Sequence, residues 1–109
     1  MSEAEILLLR KRARVKKALN DAAMADFHRK ALDAMHDPSD GGQVLERASQ
    51  QVDKWERDHL CHMRYVNEWR RILALPASAM PAAVLRDDDE GVALRQNSPF
   101  GFLVRGDAP

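Results

Sequence analysis

The chain has 109 residues, with 17 basic and 17 acidic side chains and a formal net charge of zero, enough for one domain with a modest core. A single cysteine excludes an internal disulfide. No segment approaches the ~20 apolar residues that cross a bilayer, and the run Ile6 to Leu9 is followed, not preceded, by basic residues, unlike a secretory signal. A reducing cytoplasm is the expected setting, and 5 Gly and 5 Pro among abundant Ala, Leu, Arg and Glu favour helices over sheet.

Ser2 and Glu5 form an S-x-x-E capping box, and no Gly or Pro interrupts the chain from there to Met35, so one long helix is expected. Its inward positions read as Leu8, Val15, Leu19, Ala23, Phe27, Ala31 and Met35, while His28 and His36 read as surface residues. Arg10, Lys11, Arg12, Arg14, Lys16 and Lys17 place six cations in eight positions, a basic collar around most of the helix. The collar could neutralise nucleic-acid phosphates or pair with the acids in surplus elsewhere. Asp37-Pro38-Ser39-Asp40-Gly41-Gly42 ends the helix in a turn.

A second helix is expected from about Gln43 to Leu75, stopped by Pro76. Leu45, Ala48, Val52, Trp55, His59, His62, Val66, Trp69 and Leu73 repeat at 3-4 spacing, a heptad seam that presses against another helix. Folding the two helices antiparallel sets Trp55 against Met24, His59 against Asn20 and Asp21, His62 against Lys17, and Trp69 against Arg10. A bend at His59 to His62 is the alternative. Two helices leave apolar surface uncovered, so residues 1–76 form a hairpin that either dimerises into a four-helix bundle, meets a different protein, or is covered by its own C-terminal third.

Residues 77–109 form the C-terminal appendage. Ala77 to Leu85 suggests a linker and a short helix. Asp87-Asp88-Asp89-Glu90 suits the start of another, ending near Asn97. Phe100-Gly101-Phe102-Leu103-Val104 is an apolar patch that either packs on the hairpin or orders on a partner. The fold class is all-α.

Function reads first as protein-protein association: a small regulator of the antitoxin, immunity or anti-activator type, with Trp55, Tyr65, Trp69, Phe100, Phe102 and Leu103 as contact residues because aromatic anchors dominate interfaces. Its partner is itself, another protein, or nucleic acid through Arg10 to Lys17. His59 and His62 could share a metal ion, with Asp21 the one further ligand near them. At a dimer seam, the same histidines would weaken association below pH ~6.5. No cofactor motif, phosphate loop or nucleophile elbow is present, and neither a cofactor nor a small-molecule substrate is expected.

One catalytic pattern occurs. Arg57-Asp58-His59-Leu60-Cys61-His62 resembles the R-x4-H signature of HEPN-family ribonucleases, over these six residues. The resemblance implies a helical bundle, often dimeric, in which Arg57 and His62 act on the RNA phosphate and 2′-hydroxyl, with Asp58 as their polar neighbour.

Overall fold

A computed structural model describes residues 2–105. Among these residues are six helices: α1 (Glu3–Met35), α2 (Gly41–Arg57), α3 (Met63–Leu73), α4 (Met80–Val84), α5 (Asp89–Gln96) and α6 (Gly101–Arg105). Among the described residues there is no strand, and no helix is long and apolar enough to cross a membrane.

The capping box starts α1 as expected, with Ser2 Oγ accepting from the Glu5 amide at 3.2 Å. After Met35 the Asp37 carboxylate accepts from the amides of Ser39 and Asp40, at 2.8 and 3.0 Å. These two bonds hold its pKa below the usual carboxylate value. Gly41 opens α2 so close to the end of α1 that a Cβ there would lie 2.1 Å from the Met35 carbonyl oxygen.

The second helix is not continuous. It stops at Arg57 and resumes at Met63, and the stop has the hydrogen bonds of a Schellman motif. The Leu60 amide donates to the Trp55 carbonyl at 2.9 Å and the His59 amide to that of Glu56 at 3.4 Å, while His59 takes a left-handed φ of 54°. His62 then caps α3, its Nδ1 accepting from the Arg64 amide at 3.0 Å. The heptad seam therefore folds in two, and its halves close on each other. Arg70 of α3 reaches back to Asp53, at 3.0 Å, and to Glu56 on α2. Left-handed backbone costs a residue with a Cβ about 1 kcal/mol, a strain that glycine avoids. His59→Gly should accordingly raise the unfolding free energy by about 1 kcal/mol in urea titration.

The core joins all six helices. Ala31, Leu32 and Met35 of α1 meet Ala48 and Val52 of α2 and Val66, Trp69, Ile72 and Leu73 of α3. Met80 and Val84 of α4, Leu94 of α5, and Phe100 and Phe102 close it from the C-terminal side. The C-terminal patch thus packs on the body through Phe100 and Phe102, which belong to the core, while Val104 stays exposed.

The antiparallel pairing expected from the sequence is overturned. Residues 3–20 of α1 touch nothing that buries them: Leu8, Val15 and Leu19, read above as inward, are 48%, 53% and 67% exposed. A step of four residues precesses by about 40° around a helix, so the chosen positions from Leu19 to Met35 drift through nearly half a turn and cannot share one face. With α2 and α3 folded back on each other, nothing remains to run beside the first half of α1. That half stands out as an arm. It gives the molecule extents of 56 × 30 × 27 Å and a radius of gyration of 16.5 Å, against about 13 Å for a compact chain of this length.

Candidate functional site

The arm is rooted in a clamp centred on His28, which is wholly buried and not the surface residue its sequence neighbours suggest. The Met24 carbonyl, 2.7 Å from Nδ1, can only accept, so Nδ1 carries the proton. Nε2 is then the acceptor for the Ser98 hydroxyl at 2.8 Å, and Ser98 Oγ itself accepts from the Phe100 amide at 3.2 Å. The ring stacks on Trp69, with centroids 6.1 Å apart, and Phe100 stands edge-on to both. Trp69 Nε1 donates to the Asn97 carbonyl at 2.7 Å. Every polar atom of this apolar cluster is paired, as burial requires.

Burial is the main cause that pushes the His28 pKa below its ordinary value; the Met24 carbonyl opposes it, and the positive charge of Arg95 adds to it. Arg95, also buried, donates from Nη1 to the carbonyls of Val84 and Arg86, at 3.0 and 2.8 Å, and so ties α5 to the end of α4. Ser98 and His28 have the connectivity of a nucleophile and its base. A neutral carbonyl holds Nδ1 where a catalytic pair has a carboxylate, and the imidazole has no exposed surface, so an imidazolium there finds no stabilising charge. The pair fastens the C-terminal segment to α1.

Above the clamp, α1 emerges into solvent beside a mostly apolar cleft of about 470 Å³, bordered by Asn20, Ala23, Met24 and Phe27 of α1 and by Gly101 and Val104 of α6. The arm beyond it carries most of the large apolar side chains that the fold leaves exposed: Ile6, Leu7, Leu8, Leu9, Val15 and Leu19. Two stripes are distinct. Ala4, Leu8, Val15, Leu19 and Ala22 lie within about 60° of one another on one side. Ile6, Leu9, Ala13, Lys16 and Asn20 continue at 3-4 spacing into Ala23 and Phe27, which face the cleft. The basic collar encircles the same segment. Lys17 pairs with Asp21 at 3.3 Å; Arg10, Lys11, Arg12, Arg14 and Lys16 form no ion pair among the described residues.

The structure redistributes the residues singled out in the sequence. Trp69, Phe100 and Phe102 are core, and not contact residues, because the folded seam and the C-terminal segment enclose them. The Phe102 ring carries the Arg47 guanidinium 4.5 Å from its centroid. Trp55, Tyr65 and Leu103 are half-buried at the edge of that core. His59 and His62 lie on the exposed bend between α2 and α3, so they belong to no seam and share no helical face, which also removes the basis for a pH-sensitive seam. Among the described residues no group of three or more His, Cys, Asp or Glu is placed to hold a metal ion. Arg57 ends α2 beside Asp58, at 3.4 Å, and His62 caps α3, so the six-residue R-x4-H segment spans the turn between these two helices. Sequence reasoning missed His28 and the cleft. The 4-3-4 spacing of Met24, His28, Ala31 and Met35 is the signal that would have found the first. Compared with protein-family profiles, with curated proteins and with solved structures, the chain matches none.

Proposed function

We propose that this protein is a small helical regulator that acts by binding another protein through the arm of α1. The observation that carries this reading is the exposure of Leu8, Val15 and Leu19 on a helix whose other half is firmly rooted in the core. A solvated helix gains nothing from leucines on its surface, since most helical stability in proteins comes from packing an apolar face. An apolar stripe at helical spacing on a pre-formed helix suits a groove or a partner helix. The girdle Ile6 to Leu9 does not suit insertion in a bilayer, because Glu3 and Glu5 lie beyond it and would have to enter the hydrocarbon first. The collar around the stripe calls for a partner with acidic flanks, which would speed association and set its orientation.

Leu8→Asp/Leu19→Asp should abolish this association without disturbing the body, since both side chains are exposed. Comparing the proteins retained from a lysate of the encoding cell by the native chain and by the variant tests it, with far-ultraviolet circular dichroism as the check on folding. A protein held by the native chain and lost by the variant is the expected result; identical sets from both would refute the reading. A second reading, nucleic-acid binding, is favoured by the cluster of unpaired cations between Arg10 and Lys16. It requires binding of a labelled duplex that falls steeply with salt and is lost on replacing Arg10, Arg12 and Arg14 by Gln.

A further inference from the structure

We infer that the cleft at the root of the arm receives the arm tip of a second copy of this chain, forming an antiparallel two-fold pair of α1 helices. The inference rests on the reading of the arm as a protein-binding element but uses its other face. The stripe Ile6, Leu9, Ala13, Lys16, Asn20, Ala23 and Phe27 keeps 3-4 spacing over three heptads, the pattern that packs one helix along another. Its near end is a preformed cleft with Met24, Phe27 and Val104 at its sides. Its far end is the tip, where Ile6 and Leu9 are exposed.

Cleft and tip match each other in register. If the two-fold axis passes between Lys16 and Lys17, Ile6 and Phe27 lie equally far from it, about 16 Å along the helix. Phe27 then meets Ile6 of the second copy, Met24 meets its Leu9, and Asn20 meets its Ala13. The interface is isologous, so both clefts are filled and both tips covered by one operation, with no open edge left to propagate. On the flanks Arg10 approaches Asp21 of the second copy, and Glu5 approaches its Lys30, pairs of opposite sign. The collar crosses the axis, where Lys16 of each copy can carry its ammonium outward on a long stem. Leu8, Val15 and Leu19 centre on a face of α1 turned about 110° from this stripe, outside the seam.

Sedimentation equilibrium of the full chain should give the mass of two chains, and Ile6→Asp/Leu9→Asp should return it to one with unchanged helicity. Leu8→Asp/Leu19→Asp should leave the dimer intact, which separates this inference from the function proposed above. Register is tested by oxidation in a Cys61→Ser background, Cys61 being half-buried and hydrogen-bonded to nothing essential in the clamp. Residues 13 and 20 of one chain are about 10 Å apart, beyond the reach of a disulfide. Ala13→Cys/Asn20→Cys should therefore give a covalent dimer, while neither single variant does. A single-chain mass at every concentration, a dimer that survives Ile6→Asp/Leu9→Asp, or crosslinking by Ala13→Cys alone would overturn the inference. A single-chain mass with partner capture still dependent on Leu8 and Leu19 would do so while leaving the proposed function standing.

Discussion

Trp69→Ala should destabilise the fold by about 4 kcal/mol, the cost of emptying a large aromatic site in a packed core, measured as the shift in urea midpoint at constant slope. Trp69 has no exposed surface, and its neighbours on either side are rings, His28 and Phe100, that cannot collapse into the gap without breaking their own contacts. The loss is not only apolar. Removing the indole N–H leaves the Asn97 carbonyl without its donor, and Asn97 ends α5 just before Ser98 and Pro99 bring the chain back to α1. For a domain of this size such a change is a large part of the whole stability. Trp55→Ala should cost much less, because Trp55 is only half-buried. Equal effects for the two tryptophans would contradict the core described here.

Stability should fall as the pH drops below 6.5, and the part of that fall above the carboxylate range should vanish in His28→Gln. His28 is held neutral in the folded protein, with its pKa lowered chiefly by burial. Between that lowered pKa and the ordinary value of 6.5 the unfolded chain binds a proton that the folded chain does not, so the unfolding free energy rises with pH across this window. Above 6.5 the contribution is fully present; it is lost progressively as pH falls toward the folded pKa. One proton corresponds to a slope of at most about 1.4 kcal/mol per pH unit. Gln keeps a donor for Met24 and an acceptor for Ser98 but does not titrate. A slope that persisted in His28→Gln between 6.5 and the carboxylate range would mean that the clamp is not its source. The Ser98 bond makes the same residue a lock on the C-terminal segment, so acid should release α6 before it unfolds α2 and α3, visible as early loss of amide protection at Phe102 and Leu103.

Much of the secondary structure was legible because single residues dictate it. Ser2 and Glu5 start α1, Pro38 and Gly41 force the turn after it, and Asp88 caps α5 through the Gly91 amide at 2.8 Å. The break between α2 and α3 competes in the sequence with one long seam, because no Gly or Pro marks it. The strain falls on His59, a residue that adopts left-handed backbone at a cost, and the 3-4 pattern runs through the turn undisturbed. A heptad pattern states which residues share a face while the helix lasts, and it is silent on whether the helix lasts. The same limit applied to the candidate site. The aromatics chosen as contact residues are the ones best suited to a core, and periodicity cannot separate the two uses of Trp69 or Phe100. The arm was concealed for the opposite reason: its leucines have the composition of a buried helix, and only the tertiary arrangement shows that nothing lies against them.

The bond between His28 and Ser98 joins positions 70 residues apart, and this separation governs how the molecule is made. The helices translated first hold the histidine and the tryptophan, yet the ring cluster between them has no lid until Pro99 and Phe100 have been added. Until then Trp69 lacks the Phe100 ring and the Asn97 carbonyl against it, and closing so long a loop carries an entropic cost. A nascent chain halted short of this point carries a sticky, half-built interior, so the segment that completes the core also sets the moment at which the protein becomes safe to release.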